Sequence, residues 1–298
     1  SSEAPLMDVS QWPKMDVVID ELRLNSHELG RWQAALVPGS QGQFTVSSIT
    51  ADIGSYHLTG EAGWSVQNKA PQSYLDLSFA GGDLGKVIAQ WGYSGVIEST
   101  KGNLSAKLSW PGYLWGFSPD DLSGNFVMSL TNGRIVESGN SANILRLFGI
   151  LNFNTIVRRL KLNFTDLVEK GVAYDTLDAS FLINDGIACT DKPLSLEGPS
   201  ADLKLNGELN LAQQTINAKM DVVLPLTSNV PSAAVLLGAP QIAGAVFIID
   251  KLIGDKLEKV STLTYQLNGP WAEPEVDTVV SEKEKQRNDP FRMDRNDK

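Results

Sequence analysis

The 298-residue chain contains a single cysteine, Cys189, and two histidines, His27 and His57. One thiol excludes an internal disulfide, and so few nitrogen and sulfur ligands exclude a zinc site of His and Cys. Cys189 reads as a small buried hydrophobe. Basic residues are also in deficit. Lys and Arg number 25 against 35 Asp and Glu, giving a formal charge of -10 and a pI near 4.8. That balance excludes capture of nucleic acid, or of an anionic membrane surface, by bulk charge. A long unbroken apolar run is missing as well. The nearest approach lies between Asp221 and Asp250, which carries no charge but is broken by Gly238, Pro240 and Gly244. A spanning helix needs about 20 continuous apolar residues, so a helical hairpin that covers an apolar face or dips into a bilayer is expected instead. Ser1 to Trp12 have neither the basic nor the apolar part of a signal peptide, and the chain reads as a C-terminal piece of a longer protein.

Catalytic constellations are scarce. No G-x-S-x-G elbow occurs, since Gly198-Pro-Ser200-Ala-Asp202 stops one residue short. Gly81-Gly-Asp-Leu-Gly85-Lys86 is too short for a phosphate loop and places Val87 where Ser or Thr must reach magnesium, so it reads as a strand-to-helix turn. Asp120-Asp121 after Pro119 lacks an oxygen-rich calcium loop and reads as turn chemistry. Asn103-Leu-Ser105 and Asn163-Phe-Thr165 match the glycosylation sequon, as chance alone also produces. No enzyme, metal or cofactor is expected.

What the chain has is alternation. Hydrophobic residues make up 42% of it, enough for a sizeable core. Tyr56, Leu58, Gly60, Ala62, Trp64 and Val66 share one strand face, with His57, Thr59, Glu61, Ser65 and Gln67 on the other. The pattern returns at Leu75-Leu77-Phe79, Leu104-Ala106-Leu108-Trp110 and Phe126-Met128-Leu130. It is strongest at Leu203-Leu205-Gly207-Leu209, followed after Gln213-Gln214 by Ile216-Ala218-Met220-Val222, a long antiparallel hairpin. Asn132-Gly133 and Asp185-Gly186 are expected to reverse strands in type I′ turns. A diverged unit recurs as Leu58-Thr-Gly-Glu-Ala-Gly-Trp64, Leu205-Asn-Gly-Glu-Leu209 and Leu267-Asn-Gly-Pro-Trp271. The fold class is therefore mainly β, a long and largely antiparallel sheet, greasy on one face and wet on the other.

Helical patterns are few. Asp83 caps one that carries Leu84, Val87, Ile88 and Trp91 and closes at Gly92. Ser141 caps another whose Ile144, Leu147, Phe148 and Leu151 fall at i, i+3, i+4 and i+7, with Arg158 and Arg159 beyond it, next to lipid phosphates or at a solvated helix end. A third lies near 231–258 and includes Val235 and Leu236. Beyond Pro274 the chain is polar, and 275–298 is expected to be a disordered tail.

Leu145-Arg-Leu-Phe-Gly149-Ile-Leu-Asn-Phe153 and Val157-Arg-Arg-Leu-Lys-Leu-Asn-Phe164, continuing to Tyr174-Asp175, resemble the AsmA-like C-terminal region of the YhdP family. The resemblance extends to Leu108-Ser-Trp110-Pro-Gly112, Glu197-Gly-Pro-Ser-Ala-Asp202 and Tyr265-Gln-Leu-Asn-Gly-Pro-Trp271, from about Trp12 to Pro274. It implies a large Gram-negative envelope protein, held in the inner membrane by a helix outside this sequence. The periplasmic body would be a repeating β-groove, an open trough that carries phospholipids toward the outer membrane and meets outer-membrane lipids or proteins at its C-terminal end. The resemblance brings no catalytic residues.

On this reading 1–136 is one groove segment with a helix near 83–91, and 137–274 is a second with helices near 141–151 and 231–258. Some fifteen strands about 4.8 Å apart would give a trough on the order of 70 Å long. Acyl chains would contact Tyr56, Leu58, Trp64, Leu104, Leu108, Leu203, Leu205 and Leu209. Ile144, Leu147, Phe148, Leu151, Val235 and Leu236 would cap the trough or meet a membrane. Two rivals use the same pattern. A closed β-sandwich would serve as a lipid-free periplasmic scaffold or assembly factor, and a sugar-binding module would expose Trp115 or Trp91 in a shallow cleft.

Overall fold

The alternating segments become strands of one sheet. The computed structural model describes residues 7–24, 27–90, 97–135, 172–199, 201–225, 247–253, 256–272 and 274–278. Its first half comprises β1 (Met15–Ile19), β2 (Arg23–Leu24), β3 (His27–Glu28), β4 (Arg31–Pro38), β5 (Phe44–Ile53), β6 (Tyr56–Gln67), β7 (Ala70–Gly81), β8 (Ile97–Glu98), β9 (Lys101–Pro111) and β10 (Ser123–Ile135). The second half comprises β11 (Val172–Asn184), β12 (Ile187–Glu197), β13 (Asp202–Asn210), β14 (Thr215–Pro225), β15 (Phe247–Ile253), β16 (Lys256–Pro270) and β17 (Glu275–Thr278). All but β2 and β3 form a fifteen-stranded sheet in the order β1-β4-β5-β6-β7-β9-β10-β11-β12-β13-β14-β16-β15, with β8 beside β10 and β17 beside β16. Every pairing is antiparallel. The sheet is open, with β1 at one end of the order and β15 at the other.

Neighbours in sequence are neighbours in space because the links are short. Asp185-Gly186 joins β11 to β12 with φ of 45° and 73°, the left-handed pair that a type I′ turn requires. The β13–β14 hairpin turns through 211–214, with Gln214 at φ 56°. Asn132-Gly133 behaves differently: it lies inside β10, with Asn132 at φ 48°, and the strand continues to Ile135. The glycine there serves a close approach and not a reversal. A side chain on Gly133 would meet the Tyr174 ring, whose Cζ stands 2.5 Å from the Cβ position.

The helix expected near 83–91 is α1 (Leu84–Gln90), inserted between β7 and β8. The Asp83 carboxylate accepts a hydrogen bond from the Gly85 N–H at 3.0 Å, satisfying an otherwise orphaned donor of the first turn. Leu84, Val87 and Ile88 are buried, whereas Trp91 and Gly92 lie outside the described residues. The Ser141 helix, with Ile144, Leu147, Phe148 and Leu151, also lies outside them, as do Val235 and Leu236. The helix expected over 231–258 is corrected in its last part, where Phe247–Ile253 and the start of β16 form an antiparallel hairpin. Ile248, Ile249, Ile253 and Val260 are β-branched and favour a pleated strand over a helix. The tail is likewise shortened, because Glu275–Thr278 pairs with β16 as β17. Residues 136 and 137, where two segments are expected to meet, lie outside the described residues; β10 and β11 pair with each other.

Cys189 is exposed, contrary to expectation. It pairs with Leu182, 54% exposed, on the outward face, while its neighbour Ala188 turns inward. Beyond it the register between β12 and β13 shifts between Cys189 and Leu194. Such a bulge leaves ladder groups unpaired. Thr190 Oγ1 substitutes for part of the ladder, accepting from the Gly207 N–H at 3.1 Å and donating to Asn206 Oδ1 at 2.5 Å.

Candidate functional site

Antiparallel pairing without a shift places the apolar positions of successive strands side by side. Leu58, Phe79, Leu104 and Met128 are direct cross-strand partners from β6 to β10, and Ala179 of β11 continues the row. A second row runs Leu194-Leu205-Met220-Tyr265 through β12, β13, β14 and β16. Leu196-Leu203-Val222 lies alongside it. These rows line one face of the sheet, and their buried members join a single apolar cluster from Ile49 to Trp271.

The expected lining residues all fall on this face. Tyr56, Leu58, Leu203, Leu205 and Leu209 are buried members of the large cluster, and Leu104 packs against it half-buried. Leu108 is half-buried, in register between Leu75 and Gly124. Trp64 is buried in a separate aromatic cluster with Val9 and Phe44. Phe44 stacks on Trp64 with centroids 4.8 Å apart, and Tyr113 meets the Trp64 ring edge-on at 5.3 Å. Trp115 is 66% exposed and stacks on Tyr113 at 4.9 Å. One of the two rings named for a sugar platform is thus open to solvent; the other, Trp91, lies outside the described residues.

The two faces differ in polarity. Among the described residues the buried polar side chains are Ser73 and Ser99, both neutral. Ser73 donates to the Gly112 carbonyl at 2.8 Å, and Ser99 Oγ accepts from the Leu84 N–H at 3.1 Å. Charge sits on the outward face, where Lys107 pairs with Asp76 across β7 and β9 at 3.0 Å and His57 meets Asp52 at 2.7 Å. Exposed pairs of this kind contribute little stability, about 0–1 kcal/mol each. Among the described residues the inward face therefore holds no buried charge, behind a charged outer face.

Of the inward tyrosines Tyr56 was expected in the lining and Tyr174 and Tyr265 were not, and the three fall into two kinds. Tyr56 lies across Gly81 and Gly102, its partners along one register row, and donates to the Gly82 carbonyl at 3.2 Å. Tyr174 lies across Gly133 and donates to the Glu98 carbonyl at 2.6 Å. Burial pushes both phenols above their ordinary value. Tyr265 instead has Met220 and Thr278 as register partners. Its hydroxyl is buried without a hydrogen-bond partner, and burial pushes its pKa up to about 12. The Trp271 indole N–H is the other buried side-chain polar atom without a partner among the described residues. The signal for these residues was present in the alternation Leu263-Tyr265-Leu267, but the partner of each hydroxyl depends on register.

A family model described as the YhdP protein matches residues 1–276. The intermembrane phospholipid transporter YhdP of Escherichia coli (strain K12) is 25% identical over 278 residues, covering 93% of this chain and 22% of that relative's length. No solved structure matches the chain. Among the described residues no helix is long and apolar enough to cross a membrane.

Proposed function

The chain belongs to the YhdP family, and on that premise we propose that it carries phospholipid, with acyl chains held on the inward face of the open sheet. The observation that supports this reading is the continuity of the apolar rows. Cross-strand partners hand the face from Leu58 to Met128 without an intervening charge, and again from Leu194 to Tyr265. Burial of an acyl chain gains about 0.8 kcal/mol per CH₂. Because that gain is non-directional, tails of different structure can move along the rows without one deep trap. The setting we propose is the periplasm, within a longer envelope protein anchored in the inner membrane, with the C-terminal end of the sheet directed toward outer-membrane lipids or proteins. The protein is a carrier, not an enzyme.

A second reading has its own observation. Leu205 and Leu209 are each 6% exposed, as they would be in a dry core that serves a scaffold. One substitution pair separates the two. Leu205→Asp with Leu209→Asp, purified without detergent and examined by native mass spectrometry with lipid identification, is expected to stay folded and lose the phospholipid that the parent chain retains. A parent chain with a clean apo mass after exposure to liposomes, together with a double variant that unfolds, would replace the carrier with the scaffold.

A further inference from the structure

We propose that Tyr265 and Trp271 bind the ester carbonyl oxygens of a diacyl lipid, making the C-terminal end of the inward face the place where the cargo's polar linkage is read. This deepens the carrier reading and rests on it. Both side chains are buried, at 2% and 4% exposure, and both belong to the inward apolar cluster. Neither the Tyr265 hydroxyl nor the Trp271 Nε1–H has a hydrogen-bond partner. Buried donors are ordinarily satisfied, and leaving one unpaired carries the full cost of its desolvation.

Among the described residues the other buried side-chain donors obey that rule, which makes the exception informative. Trp64 Nε1 donates to the Gly42 carbonyl at 2.8 Å, Trp110 Nε1 to the Tyr113 carbonyl at 3.3 Å, and Trp32 Nε1 to the Leu29 carbonyl at 2.7 Å. Tyr56 and Tyr174 find backbone acceptors as well. The Trp271 N–H can only donate and the Tyr265 hydroxyl can donate as well, so an acceptor is the partner that would satisfy both. It is a neutral one, because both donors belong to a buried apolar cluster that includes Met220, the register partner of Tyr265, and a phosphate stripped of water there would be costly. Hydrocarbon tails have no acceptor; the ester carbonyls of a diacyl lipid do. Tyr265, with its phenol raised by burial, stays a protonated donor throughout the physiological range. Six residues of strand separate the two donors by at most about 20 Å. That span exceeds one glycerol linkage, so they act as separate contacts, Tyr265 in mid-strand and Trp271 just past the end of β16.

The test compares a diester phosphatidylglycerol with its diether analogue carrying identical tails, each displacing a fluorescent phospholipid from the chain and from Tyr265→Phe and Trp271→Phe. Phenylalanine keeps the ring volume at 265, and circular dichroism checks the fold of each variant. The parent is expected to prefer the diester by about three- to tenfold, the worth of one net hydrogen bond. Each variant should lose part of that preference while holding the diether as the parent does. A ¹³C-labelled ester carbonyl should absorb at lower frequency in the parent than in Tyr265→Phe. Equal binding of diester and diether by the parent, or a preference unchanged in both variants, overturns this inference and leaves the carrier reading intact. Failure of the parent to bind either lipid overturns the carrier reading, and this inference with it.

Discussion

The β6–β10 part of the sheet and the β12–β16 part present the same alternation to the same face, yet they treat their buried tyrosines in opposite ways. Tyr56 lies over Gly81 and Gly102, so its ring is flat against the strands and its hydroxyl reaches a carbonyl. Tyr265 stands in register with Met220 and Thr278, with no glycine at either position, and its hydroxyl reaches nothing. The glycines of the first part are therefore positions where a side chain is omitted so that a neighbour can satisfy itself. The second part omits none beside Tyr265 and keeps an unspent donor. One half closes its own polar accounts; the other leaves them to a partner.

The sharpest way to break this comparison is to fill the space beneath Tyr56. A Cβ on Gly102 would fall against the Tyr56 hydroxyl and 2.7 Å from Leu130 Cδ2. Gly102→Val should therefore expel the ring, leave the Gly82 carbonyl with Ser99 Oγ as its side-chain donor, and destabilise the chain by about 3 kcal/mol, the sum of overpacking and a lost hydrogen bond. Chemical denaturation checks the magnitude. A change below about 0.5 kcal/mol, the usual range for a surface site, would mean that the glycine row does not position the ring.

Much of the sheet could be read in advance because alternation is a local property. Leu203 to Leu209 and Ile216 to Val222 sit in the hairpin that their period implied, and Asp185-Gly186 turns as its residue types require. Three features resisted reading for one shared reason: each depends on what lies opposite. Asn132-Gly133 carries the local chemistry of a turn, but Tyr174 of β11 needs the bare backbone of Gly133, and the strand continues. Cys189 is apolar enough for a core, yet strand parity and its pairing with Leu182 turn it outward. The unpaired donors were invisible because a tyrosine in an alternating run looks the same whether its neighbour is Gly81 or Met220. Register decides, and register is set by bulges and turns some distance away.

A smaller effect sharpens the same contrast. Tyr174→Phe removes a part-buried hydrogen bond of 2.6 Å to the Glu98 carbonyl, so it should cost about 1 kcal/mol. Tyr265→Phe removes a hydroxyl that has no partner. In the lipid-free chain it should be neutral or stabilising, by up to about 1 kcal/mol. Opposite signs for two Tyr→Phe changes, measured by urea denaturation after delipidation, would confirm that the tyrosines of β11 and β16 differ in polar satisfaction. Equal losses would show that Tyr265 is bonded after all.

The smallest effect is silent at neutral pH and emerges only in alkali. Burial raises the Tyr265 phenol from its ordinary 10.0 to about 12 in the folded chain. The unfolded chain therefore releases that proton first. The contribution of the neutral phenol is fully present below pH 10 and is lost as pH climbs from about 10 toward 12, since stability falls wherever the unfolded state holds fewer protons than the folded one. Tyr56 and Tyr174, raised mainly by burial as well, add losses of the same sign. Tyr265→Phe should thus leave stability flat in pH up to about 10, like the parent, and then decline less steeply. The shallower slope separates desolvation of the phenol from any loss of packing, which would be the same at every pH. An acceptor oxygen supplied by bound lipid would stabilise the protonated phenol further and delay the parent's decline. Alkaline stability with and without diester lipid therefore reports, through the titration of one side chain, whether the unspent donor in the second half has found its partner.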